Sequence, residues 1–187
     1  MKKLLYLFIL MFLSNGNAQN ERVNSDTRKF IEEADITQIN KNFSNKAELL
    51  SGIGEIVSFF PVEAIDLKSG EVVKSLQVDM TINIDYGKSN RMFSKSSWVD
   101  ISEINELIYF LETYVIPNLN NKVEKGKSTT YVFNSKELTL SFSIEDNKRR
   151  LSIYLKDYGI IDYQHYFWTQ SQVNKIPELI NVLKQIN

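Results

Sequence analysis

The chain has 187 residues, no cysteine, 43% apolar residues and a formal net charge of −1. This balance argues against a duplex nucleic acid as partner, which requires a basic face to neutralise phosphates. The absence of cysteine excludes a disulfide framework, so the fold must rest on its own apolar core.

The N-terminus reads as an export signal. Lys2 and Lys3 give a positive start, Leu4 to Leu13 is an unbroken apolar run, and Gly16 and Ala18 place small residues at −3 and −1 of a cleavage site. Ten helical residues span about 15 Å, too short for a hydrocarbon core of about 30 Å, so the segment is expected to be removed rather than to anchor the chain. Cleavage before Gln19 removes two lysines and leaves 20 basic against 23 acidic residues, a net charge of −3. The expected location is secreted or periplasmic, with no membrane insertion after signal removal. The domain reading is 1–18 signal peptide, 19–50 polar and partly flexible N-terminal segment, and 51–187 a single α+β domain.

Residues 27–43 carry scattered apolar side chains and suit at most one frayed helix. Strand patterning starts at Ile56 to Leu67, and Lys68-Ser69-Gly70-Glu71 reads as a hairpin turn with Gly70 free to take positive φ. Leu76, Val78, Met80, Ile82, Ile84 and Tyr86 alternate with Gln77, Asp79, Thr81, Asn83 and Asp85, a strand with one buried and one wet face. Arg91 to Val99 follows as a third strand. Asp100 with Glu103 forms a capping box, and Ile104, Leu107, Ile108, Leu111 and Val115 make a helical stripe that Pro117 ends.

The second half repeats this plan. Thr129 to Asn134, Leu138 to Ile144, Leu151 to Leu155 and Ile160 to Trp168 read as strands. Val173, Ile176, Leu179, Ile180, Leu183 and Ile186 form a second amphipathic helix, with Pro177 in its first turn. The expectation is an α+β fold with antiparallel sheets, in the order three strands, a helix, four strands and a helix. Glu106 to Leu111 and Glu178 to Leu183 match at four of six positions, 72 residues apart, which fits either two amphipathic helices that share common helix formers or a tandem strands-then-helix repeat over residues 55–187. This order resembles TATA-binding-protein-like and β-lactamase-inhibitor-like repeat folds. The resemblance is architectural and carries no functional residue.

Chemistry-bearing motifs are sparse. The lone His165 sits between aromatics on a strand and reads as a packed side chain. No nucleophile elbow, phosphate loop or dinucleotide glycine pattern occurs, and one histidine without cysteine argues against a zinc site. Asp79, Thr81, Asn83 and Asp85 lie about 6.6 Å apart in an extended strand, too far to share one calcium. Carboxylate pairs such as Glu145/Asp146 and Asp157/Asp162 are the ones that would suit a glycan hydrolase. The expected site residues are instead Tyr154, Tyr166 and Trp168, which fall opposite the apolar stripes of their strands and offer stacking surfaces. No catalytic residue, metal ligand or cofactor is assigned. The expectation is a non-enzymatic binding or protein-interaction domain of the cell envelope, its ligand a protein or a glycan. A carboxylate-dependent glycan hydrolase and a secreted enzyme inhibitor are the alternatives.

Overall fold

The computed structural model of the chain describes residues 24–85, 90–146, 148–156 and 166–186. Nine strands form two antiparallel sheets, and three α-helices accompany them among the described residues.

The first sheet is a meander of β3 (Ile56–Asp66), β4 (Val72–Asp85) and β5 (Asn90–Asp100). Strict alternation along β4 puts Leu76, Val78, Met80 and Ile82 into the core. The β3–β4 turn closes where Gly70, at φ 76°, donates its N–H to the Asp66 carbonyl at 2.8 Å. The Asp66 carboxylate accepts the Lys68 N–H at 2.8 Å and the Ser69 hydroxyl at 2.7 Å, fixing the turn from its other side.

The segment before β3 departs from the single frayed helix expected over residues 27–43. Helix α1 covers Asp26–Glu33 only. Two strands follow: β1 (Thr37–Lys41) pairs with the C-terminal half of β3, and β2 (Ala47–Leu50) pairs with its N-terminal half. Thr37–Lys41 has no apolar face at helical spacing, so a helix there would bury little. As an edge strand its backbone groups are satisfied by β3 instead. The described order is therefore a helix, five strands, a helix, four strands and a helix.

Helix α2 (Ile101–Phe110) starts directly at the end of β5 and runs on through a π-helical turn, Leu111–Val115, to a 3-10 turn at Ile116–Asn118 that contains Pro117. The second sheet then forms in chain order from β6 (Ser128–Asn134), β7 (Leu138–Glu145), β8 (Lys148–Leu155) and β9 (Tyr166–Thr169). Helix α3 (Ile176–Leu183) closes the described chain and buries Ile176, Leu179, Ile180, Val182 and Leu183.

One buried cluster joins the inner faces of both sheets with the apolar stripes of α2 and α3. A second, small cluster lies on the outer face of the first sheet, where Phe60, Val62 and Trp98 pack with Ile31 of α1. Helix α1 thus covers part of the outer face of the first sheet, around Trp98. The outer face of the second sheet leaves Val132, Tyr166 and Trp168 exposed. Among the described residues, no helix is long and apolar enough to cross a membrane.

Candidate functional site

The outer face of the second sheet collects the aromatic residues singled out by the sequence. The β8–β9 register sets Tyr154 opposite Tyr166 and Ser152 opposite Trp168. Paired residues of an antiparallel ladder share a face, so Tyr154, Tyr166 and Trp168 point the same way. The β7–β8 register continues the row, with Thr139 opposite Tyr154, Ser141 opposite Ser152 and Ser143 opposite Arg150.

Two contacts hold this face in shape. The hydroxyls of Ser152 and Tyr166 lie 2.7 Å apart in a hydrogen bond. The Arg150 guanidinium stands over the Trp168 ring, 4.7 Å from its centroid, which fixes the indole plane. Between the rings lies a concavity of about 340 Å³ lined by Thr139, Ser141, Ser152, Tyr154 and Tyr166. Every lining side chain carries a hydroxyl and none is charged. Trp168 does not line the concavity but stands beside it, next to Ser152.

Sequence reasoning missed Ser152, Thr139, Ser141 and Arg150. Each is an ordinary outward residue of an alternating strand. Only the register between strands shows that they surround the tyrosines.

Two larger concavities lie on the first sheet. One of about 560 Å³ runs between α1 and the sheet past Ile31, Ile39, Phe43 and Trp98. The other, of about 620 Å³, is lined in part by Pro61, Glu63, Lys74 and Ile186. Of the charged groups of the first, Arg28 binds Glu137 at 2.7 Å and Lys41 binds Asp79 at 2.9 Å, while Glu32 lies exposed on α1.

The carboxylates tell the same story. Burial pushes the Glu103 carboxyl above the usual glutamate range. Its oxygens accept the Lys136 N–H at 2.6 Å and the Asp100 N–H at 3.1 Å, and it lines none of these three concavities. Burial also pushes Asp100 upward. The Lys136 ammonium at 2.9 Å and the N–H groups of Thr27 and Asp26 outweigh this and hold it below the usual aspartate range. Asp79 accepts Ser96 Oγ at 2.6 Å, Gln77 Nε2 at 2.7 Å and the Lys41 ammonium. Asp146 accepts the Gly126 N–H at 3.2 Å across to the β6 side. His165, Asp157 and Asp162 lie outside the described residues, as does the turn at 86–89. Among the described residues no group of three or more His, Cys, Asp or Glu is placed to hold a metal ion.

No protein-family model matches the chain, and no curated protein matches it.

Proposed function

We propose that this chain is an exported, non-enzymatic binding domain of the cell envelope, that its ligand face is the outer face of the second sheet, and that the ligand is a neutral glycan. The observation that carries the reading is the lining of the concavity: five hydroxyl side chains and no charge, two of them the aromatic Tyr154 and Tyr166, with Trp168 alongside. Hydroxyls donate and accept, so they match the hydroxyls of a sugar in either sense. Aromatic rings offer flat apolar area for the C–H face of a pyranose at low entropic cost. The lining itself carries no charge, and the Arg150 guanidinium beside it stands over the Trp168 ring. The volume sits at the lower end of the range of about 300–1,000 Å³ usual for small-ligand sites.

Export is supported by the Lys2 to Ala18 pattern. The tandem-repeat reading is supported by two antiparallel sheets, each followed by an amphipathic helix. The hydrolase alternative draws support from the upward-shifted Glu103, but backbone N–H groups engage both of its oxygens. The binding reading therefore stands ahead.

The test is thermal unfolding of residues 19–187 with neutral gluco-, manno- and chito-oligosaccharides, against anionic oligosaccharides and calcium as controls. A ligand at 100 times its Kd stabilises by about 2.7 kcal/mol, or roughly 5–10 °C for a domain of this size. We expect that shift with one neutral class, and its loss in Tyr154→Ala and Trp168→Ala. A flat response to every neutral sugar, or a shift that survives both substitutions, overturns the assignment.

A further inference from the structure

The second sheet begins at β6, and that edge is unusual. Among the described residues, every backbone hydrogen bond of β6 is made to β7, so the N–H and C=O groups of its alternate residues face the open edge. Such edges template pairing with another chain and are ordinarily blunted by charge, proline, a bulge or shortness. The other edges of the two sheets follow this rule. Strand β1 ends in Lys41, β2 carries Glu48, β5 carries Lys95, and β9 has four residues. Strand β6 reads Ser-Thr-Thr-Tyr-Val-Phe-Asn, without charge and without proline.

Exposed apolar groups flank this edge on both sides. On the outer face Val132 is 51% exposed. On the inner side Tyr131 stacks on Tyr114 with centroids 6.0 Å apart, and Tyr114 meets Tyr109 edge-on at 6.0 Å. Tyr109 and Tyr114 are both exposed.

We propose that β6 is the seam of a homodimer, in which two copies pair antiparallel through this strand. The strand is compatible with itself in charge: a neutral row meets a neutral row, whereas β1, β2 and β5 would each bring a lysine or glutamate of their own into the seam. Geometry restricts the register. A two-fold axis perpendicular to the sheet keeps outer residues on the outer face only if paired positions share parity. The allowed register centred on Tyr131 sets Thr130 of one copy opposite Val132 of the other. The inner side brings the two Tyr114–Tyr131 stacks together and covers them.

The seam would join two four-stranded sheets into one of eight strands. The two β8 strands would then stand five strand spacings apart, about 24 Å. Both hydroxyl-lined concavities would open on the same side of one sheet, so a polymeric ligand could engage both and gain avidity. The dimer itself does not depend on the glycan reading.

Sedimentation velocity of residues 19–187 at micromolar concentration tests it directly. The expected mass is twice that of one chain. The double variants Thr130→Lys/Val132→Lys and Thr130→Glu/Val132→Glu should each sediment as monomers with unchanged far-ultraviolet circular dichroism. An equimolar mixture of the two should recover the doubled mass. A monomeric parent chain overturns the proposal, as does a dimer that persists in both charged variants or a mixture that stays monomeric.

Discussion

Glu137 and Arg28 lie 109 residues apart in the chain and 2.7 Å apart in space. The carboxylate of Glu137, in the β6–β7 turn, has no solvent exposure. Besides Arg28 Nη2 it accepts Arg28 Nε at 2.8 Å, Ser25 Oγ at 2.6 Å, the Ser25 N–H at 3.0 Å and the Trp98 N–H at 3.0 Å. Asp100, at the end of β5, takes the next two backbone groups, the N–H of Asp26 at 2.8 Å and of Thr27 at 3.0 Å. Two carboxylates, one from each half of the chain, therefore grip the start of α1. These charge-assisted bonds satisfy N–H groups that a helix start leaves without intrahelical partners.

Breaking this grip should be expensive. Arg28→Ala leaves Glu137 buried without its cation, and removing one partner of a buried pair costs about 3–5 kcal/mol. Urea denaturation should show a loss of that size for Arg28→Ala and for Glu137→Ala. The double variant Arg28→Leu/Glu137→Leu should lose less than the sum of the two single losses, because it leaves no charge buried alone. Additive losses would show that the pair is not coupled.

Acid should weaken the fold through Asp100. Its folded carboxyl lies below the ordinary aspartate range, so its contribution is present above the unfolded value and is lost as pH falls through the folded one. Glu103 has the opposite sign. Its carboxyl is raised by burial, so its contribution is present below the unfolded value and fades as pH rises through the folded one. Unfolding free energies measured from about pH 3 to 7, a window set by ordinary carboxyl values of about 4, should separate the two. Asp100→Asn should flatten the acid limb. Glu103→Gln should keep that limb and remove a shallow decline on its alkaline side.

The two tryptophans give a built-in reporter. Trp98 is 6% exposed beneath α1 and Trp168 is 39% exposed on the open face. In Trp98→Phe the only indole is Trp168, and its emission should sit at long wavelength. Saturation with the neutral oligosaccharide that raises Tm should move that emission to the blue. Arg150→Ala should weaken the response while changing stability by only about 0.5–1 kcal/mol, the scale of an exposed cation–π contact. An unchanged spectrum at saturating sugar would place the ligand away from Trp168.

Gly70 and Gly52 should behave differently. An added Cβ meets open space at both, but Gly70 has φ 76°. Alanine at Gly70 should therefore cost about 1–2 kcal/mol, the penalty of the left-handed region for a residue with Cβ. Alanine at Gly52 should be close to neutral. Paired thermal melts would check this, with about 2–4 °C expected per kcal/mol in a domain of this size.

Several elements are legible in the sequence because each has one apolar neighbour layer and shows it as a period. Leu76 to Ile82 and Leu138 to Ile144 alternate because each strand has one buried face, and their side chains are buried as the pattern requires. Ile104, Leu107 and Leu111 recur at helical spacing because α2 presents one stripe to the core. Strand β1 carries no such period, and β2, with only Ala47 and Leu49 buried, is too short to show one. Strand β1 is largely exposed, and its place depends on the edge of β3 rather than on any pattern of its own.

What the sequence determined by itself is which face of each main strand is apolar, since alternation is a local property of extended chain. It also determined that Tyr154, Tyr166 and Trp168 point away from that face. Only the tertiary structure decided which outward face stays open. Trp98 and Trp168 both stand opposite the apolar stripes of their strands. Trp98 is buried because α1 lies over it, pinned by Arg28 to a glutamate of the other half, while the outer face of the second sheet leaves Trp168 exposed. A contact across 109 residues leaves no period in the chain, so the open face appears only when the two halves have met.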